Sequence, residues 1–131
     1  MQEQTLWAWF SKFIRLRDAE DGGMSFCRSC GKAHYWKDLQ AGHYISRGKK
    51  ATKYDERNVF SQCVRCNMYL NGNQSGLWNW IVNELGKDVP DELMSKSLMK
   101  SKKMDQWTIK TLSDEYREKV KKLAKEKGIE L

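Results

Sequence analysis

Cys27-Arg28-Ser29-Cys30-Gly31 and Cys63-Val64-Arg65-Cys66-Asn67 decide how this chain folds, because the two CxxC pairs together hold all four of its cysteines. Zinc prefers four thiolates at the corners of a tetrahedron, and one CxxC turn delivers two of them from a single tight knuckle. The residue after such a knuckle often needs a left-handed backbone, which Gly31 and Asn67 both tolerate. The spacing predicts one zinc held by Cys27, Cys30, Cys63 and Cys66, tying the segment before a hairpin to the segment before a helix. Four thiolates leave no open coordination position, so this zinc is expected to be structural. Two disulfides and a redox dithiol are the competing readings. A reducing compartment disfavours the first, and the second needs only one pair.

Both histidines, His34 and His43, lie in the 32 residues between the cysteine pairs. Ala41-Gly42-His43-Tyr44-Ile45-Ser46-Arg47-Gly48 reads as a strand entering a loop, and Asn58-Val59-Phe60 as a strand returning. Gln40 to Ser46 and Asn58 to Gln62 are the expected strands. Beyond Cys66 come Asn67, Asn71 and Asn73, then a helix from near Gln74 with Leu77, Trp78, Ile81 and Leu85 as its stripe and Gly86 as its stop.

Helical patterns flank this middle. Leu6, Trp9, Phe10, Phe13, Ile14 and Arg17 recur at spacings of three and four behind Thr5, the expected cap, and Asp21-Gly22-Gly23 ends the run. Pro90 suits the first turn of another helix facing inward through Leu93, Met94 and Leu98. Lys100 to Lys103 has no apolar stripe and reads as a link. Thr108 is the expected cap of the last helix, whose stripe is Ile109, Leu112, Tyr116, Val120 and Leu123 and whose terminator is Gly128. Three units are expected: an amphipathic helix over 1–22, a zinc-bound core over 23–88 and a basic helical arm over 89–131.

The 131 residues carry a net charge of +7, which suggests a polyanionic partner such as nucleic acid, or else a solvated surface. Between Ser95 and Lys127, eleven Lys or Arg face five Asp or Glu, so the charge is concentrated in the arm. No stretch has the apolar length of a membrane span, so no membrane partner is expected. The first eighteen residues are amphipathic without a small-residue cleavage site, which argues against a signal peptide and for a cytoplasmic protein.

The order CxxC, a His at the end of a strand, an Asn opening the second strand, then CxxC-Asn and a helix resembles the HNH (ββα-metal) nucleases. Adding Phe10-Ser11-Lys12-Phe13-Ile14-Arg15-Leu16-Arg17-Asp18, Tyr54-Asp55-Glu56-Arg57-Asn58-Val59, Gln62-Cys63, Gly72-Asn73 and the tail helix, nearly the whole chain resembles the phage lambda NinG (Rap) recombination protein family. The resemblance implies an α+β fold: a zinc-stapled ββα-metal (HNH-like) core with flanking N-terminal and C-terminal helices. It implies a phage recombination endonuclease acting on branched or junction DNA, in the cytoplasm of a bacterial host.

Several roles follow from that resemblance. His43 would be the general base that activates water, since an imidazole with a pKa near ~6.5 suits that task at neutral pH. Mg²⁺ or Mn²⁺ would bind the scissile phosphate. Asn58 would bond the loop carrying His43 and hold the ring, or merely start a strand. Arg47 could clamp a phosphate with its planar fork, joined by Lys49, Lys50 and Lys53, unless these are only a solvated loop. Many HNH enzymes place an acid or His just before the base, where this chain has Gly42. Asn67 and Asn71, four apart and expected on one helix face, and Asp55 (with Asp38 nearby) are therefore the candidate metal ligands. The alternative for Asn67 is that it serves only its knuckle turn.

Lys110, Arg117, Lys119, Lys121, Lys122 and Lys125 on the last helix could contact flanking phosphates. Glu115–Lys119 and Glu118–Lys122 are equally spaced for ordinary ion pairs. His34 reads as a surface or knuckle residue. Trp7, Trp36, Trp78, Trp80 and Trp107 read as core or interface rather than base-stacking platforms. The Trp9 stripe and the last helix could also build a homodimer. The alternative to an enzyme is a non-catalytic zinc module that binds DNA or a recombination partner, and the glycine at position 42 keeps that reading open. A regulator built on a nuclease scaffold is a third.

Overall fold

In the computed structural model, residues 2–131 are described; Met1, the first residue of the expected amphipathic helix, lies outside them. Helix α1 runs Glu3–Asp18 and buries Leu6, Phe10, Phe13 and Ile14 of the expected stripe together with Leu16, which lies outside it, while Trp9 is half-buried. Thr5 is not its cap. The helix starts three residues earlier from an extended Gln2, and Thr5 N donates to the Gln2 carbonyl.

Strands β1 (Met24–Phe26) and β2 (Ala33–Tyr35) form one antiparallel hairpin around the first cysteine pair. A single 3₁₀ turn over Trp36–Asp38 leads to β3 (Gln40–His43). After a loop with one helical turn, α2 (Lys50–Lys53), strand β4 (Val59–Gln62) returns antiparallel to β3, pairing Gly42 with Phe60 and His43 with Val59. The hairpin expected from sequence is present, though β3 stops at His43 rather than Ser46.

The second cysteine pair runs into a π-helical turn over Arg65–Tyr69, followed by α3 (Gln74–Glu84), α4 (Val89–Ser97) and α5 (Gln106–Lys127). Asn73, left-handed at φ 40°, caps α3 by accepting from Gly76 N, and Pro90 lies in the first turn of α4. The cap of α5 is Asp105, whose carboxylate accepts from Thr108 N at 2.7 Å, and not Thr108 itself. Gly128 ends α5 in the left-handed conformation.

Every residue of β4 is buried because the β3–β4 hairpin is covered on both faces. Successive side chains point to opposite sides of a strand. Val59 accordingly joins the core of α1 and α5, with Trp36, while Phe60 joins Ile45, Leu77, Ile81 and Leu93 against α3 and α4. The apolar stripes of α1 and α5 are buried on each other in the first of these cores. The surface expected to build a dimer is thus used inside the chain. Lys127 at the end of α5 donates to the Leu16, Arg17 and Ala19 carbonyls, capping the C-terminus of α1. No helix among the described residues is long and apolar enough to cross a membrane.

Candidate functional site

The four cysteine sulfurs converge to within 4.8 Å of one another. The first knuckle closes with Gly31 N donating to the Cys27 carbonyl and Gly31 left-handed at φ 78°. The second does not use a left-handed Asn67. Its chain turns on through Asn67 N to the Cys63 carbonyl, and the positive φ values fall at Asn71 and Asn73. Asn73 Nδ2 donates to Cys66 Sγ at 3.4 Å, and Cys66 N to Cys63 Sγ at 3.5 Å. Burial pushes the Cys66 thiol up to about 12 and raises Cys30 as well, so these two bare thiols hold their protons, whereas at Cys27 backbone hydrogen bonds outweigh burial and lower the pKa. A dication that exchanges for those protons fits this donor set, and the cluster could hold a metal ion such as zinc.

The strand end beside the cluster carries the second constellation. His43 Nε2 lies 3.0 Å from the Lys53 carbonyl. A carbonyl can only accept, so Nε2 holds the proton and Nδ1 keeps its lone pair. Nδ1 has no protein partner among the described residues and is not a buried orphan, so it meets solvent. Trp7 of α1 stacks on the imidazole, with centroids 5.1 Å apart and planes 21° from parallel. Arg47 lies over the same indole at 4.8 Å. Burial, then the Arg47 and Lys53 charges, draw the His43 pKa below its ordinary value against the opposing Lys53 carbonyl, so the ring is neutral at pH 7.

Asn58 braces this arrangement from below. Fully buried, it accepts from Ile45 N at 2.7 Å and donates to the Ile45 and Thr52 carbonyls at 3.1 and 3.0 Å. It closes the two ends of the loop carrying Arg47, and Thr52 precedes the residue whose carbonyl fixes His43. Lys53 reaches Glu3, which also accepts from the Tyr54 hydroxyl at 2.9 Å. Arg47, Lys50 and Lys53 border a cavity of about 270 Å³ that Lys102 and Lys103 also line, while Lys49 borders a separate groove against Leu98 and Met99.

The candidate metal ligands do not gather there. Asn71 lies beyond the π-helical turn with φ 51°, so it does not share a helix face with Asn67. The Asp55 carboxylate takes Lys96 at 2.8 Å and Arg57, a pairing with α4 that holds its pKa down. Asn67 Nδ2 donates to Gln40 Oε1 at 2.8 Å. Its Oδ1 lies 2.8 Å from where a Cβ on Gly42 would stand, and the Gln62 Oε1 only 1.6 Å from that point. Gln62 is fully buried and held there by donating to Ser29 Oγ at 2.7 Å and the Gly72 carbonyl at 2.5 Å. Gly42 is glycine because Gln62 fills the side-chain position. Among the described residues, the four cysteines are the one group of three or more His, Cys, Asp or Glu with metal-holding geometry.

The α5 cations are largely paired: Lys110 and Arg117 with Asp114, Lys121 with Glu118, and Lys119 with Glu56. These are not the Glu115–Lys119 and Glu118–Lys122 pairs that spacing suggests. His34 sits in β2 with Nε2 buried and unpartnered. Trp36 is core, whereas Trp107 is 75% exposed. Sequence reasoning missed Trp7 as the ring stacked on His43 and Glu3 as the partner of Lys53 and Tyr54, since nothing in α1 marks its first turns as lying against the strand end. It also missed Gln62, for which the glycine at 42 was the available signal.

Fold and cluster define a small α+β protein in which helices sandwich a β-hairpin beside a four-cysteine centre able to hold a metal ion. The family model described as "Bacteriophage Lambda NinG protein" matches residues 2–126, and the chain belongs to that family. It is 32% identical over 117 residues to "Protein ninG" of Escherichia phage lambda, covering 85% of this chain and 52% of the relative. The same coverage holds at 31% identity for "Protein ninG" of Escherichia phage 933W and at 32% for that of Salmonella phage P22. The chain therefore spans about half the length of these curated relatives. No solved structure matches the chain.

Proposed function

We propose that this chain is a structure-specific endonuclease of phage recombination, hydrolysing phosphodiester bonds in branched DNA with His43 as general base, on an HNH-type ββα core. The observation that carries the reading is the state of His43: neutral, with its proton fixed on Nε2 by the Lys53 carbonyl and its Nδ1 lone pair open to solvent beside a cationic cavity. The resemblance to HNH nucleases supports the assignment, and the branched substrate rests on the resemblance to the phage family.

In this mechanism a water held by His43 Nδ1 attacks phosphorus. Its proton passes to Nδ1, the bond from phosphorus to the leaving oxygen breaks, and solvent protonates that oxygen. Trp7 and the Asn58-braced loop keep the imidazole aimed, and Arg47 neutralises charge gathering on the phosphoryl oxygens. Mg²⁺ or Mn²⁺ would supply further charge neutralisation at the phosphate. The residues present do not fit a cation caged by carboxylates. Gly42 offers no ligand, Asp55 is held by Lys96 and Arg57, and Glu3 by Lys53 and Tyr54. No step here depends on it.

That missing cradle favours one second reading, a non-catalytic zinc module that binds DNA or a recombination partner. Incubating the zinc-loaded chain with linear, flapped and four-way DNA, with and without Mg²⁺ or Mn²⁺, separates the two. The nuclease reading predicts cutting confined to branched substrates. Binding to those substrates with no cutting under any condition would instead support the second reading.

A further inference from the structure

The segment between α4 and α5, Leu98 to Asp105, is not helical. It brings Lys102 and Lys103 to the cavity of about 270 Å³ that Arg47, Lys50 and Lys53 also line. Five cations from segments some fifty residues apart thus converge on one concave space with a single carboxylate, Glu3. That carboxylate is already engaged by Lys53 and the Tyr54 hydroxyl. Arg47, Lys50, Lys102 and Lys103 form no ion pair among the described residues, in contrast to the paired cations of α5. Like charges facing each other across a cavity repel, and an anion between them converts that repulsion into attraction.

We propose that this cavity is a phosphate-binding groove that grips the DNA strand presented to His43, with Lys102 and Lys103 completing its cationic lining and Glu3 acting as an internal carboxylate that competes with phosphate for Lys53. The choice of ligand rests on the DNA-cleaving role proposed above. The groove itself rests on the cavity and its unpaired cations. A phosphodiester fits because it is a compact singly charged anion, and Arg47 offers it a planar fork. Glu3 keeps its charge at neutral pH, because Lys53 and Tyr54 hold its pKa down.

Binding to a labelled four-way junction and to a linear duplex, followed by fluorescence anisotropy over a salt series with no Mg²⁺ or Mn²⁺ added, tests the groove without chemistry. Each phosphate contact contributes about 0.9 to the slope of log affinity against log salt. Lys102→Ala/Lys103→Ala is expected to weaken binding about tenfold and to flatten the slope by about 1.8. Glu3→Gln is expected to tighten binding, and Lys87→Ala, on the turn between α3 and α4, to leave it unchanged. A folded Lys102→Ala/Lys103→Ala variant with the wild-type slope overturns the groove, as does a wild-type chain that binds neither DNA. A chain that binds through these lysines but never cuts removes the nuclease reading and leaves the groove in place. An active nuclease indifferent to both lysines does the reverse.

Discussion

His43 is drawn below the ordinary imidazole pKa chiefly by burial, so its neutral form persists into mildly acidic solution. A base with a lowered folded pKa works above that pKa and fails as pH falls through it. The single-turnover cleavage rate should therefore hold across pH 6.5, with its acid limb lying lower. The stability that the neutral ring contributes is likewise present above the unfolded pKa and lost as pH falls through the folded one. A rate that halves at or above pH 6.5 would show that the titrating group is not this histidine. Gly42 makes a sharper point about reading single residues. In sequence it looks like a lost metal ligand. In the fold it is the space into which Gln62 is packed, and no spacing rule reveals that a glutamine twenty residues on occupies it. Gly42→Ala should cost about 2 kcal/mol by forcing Gln62 off its partners. In Gly42→Ala/Gln62→Ala the two losses should be less than additive, which a double-mutant cycle in urea reads directly.

Elements in this protein are held by a few close approaches that the apolar pattern does not encode. The stripes of α1 and α5 were legible because each buries one face at helical spacing, whereas in α3 only Leu77 and Ile81 of the expected stripe are buried and Trp78 and Leu85 are exposed. Caps were less so: Asp105 and Thr108 are both capping types, and only the start of the helix chooses between them. The β1–β2 hairpin was not resolved from its surroundings, since each strand is three residues long and half exposed, too short for alternation to register. Helix α3 meets the first knuckle at Gly76, where a Cβ would stand 2.4 Å from the Ser29 carbonyl oxygen. Gly76→Ala should therefore destabilise the chain by about 1–3 kcal/mol despite its higher helix propensity, whereas a free-standing helix would gain about 1 kcal/mol. Thermal unfolding decides the sign. At the other end, Lys127→Met removes the donor shared by three carbonyls of α1 and should cost about 1–2 kcal/mol.

As a whole molecule the chain is two apolar cores on either side of one hairpin, with three of the cysteines and Leu39 forming a third, separate cluster. The flanking helices are not loose arms: α1 and α5 pack on each other and on the hairpin, so the last turn of α5 fixes the end of the first helix. Charge pattern alone could not distinguish the paired face of α5 from the unpaired cations lining the cavity, because the difference lies in which carboxylates fold next to them. Stripping zinc with a strong chelator should unfold the chain cooperatively, and Cys30→Ser should do the same, both read by far-ultraviolet circular dichroism. The central claim concerns one imidazole and is tested most directly by single-turnover cleavage of a four-way junction by wild type and His43→Ala, with zinc content and junction affinity measured on the same samples. The account predicts that the variant binds zinc and junction as wild type does while its cleavage falls by about a hundredfold or more. A folded His43→Ala variant that cuts at the wild-type rate would contradict it.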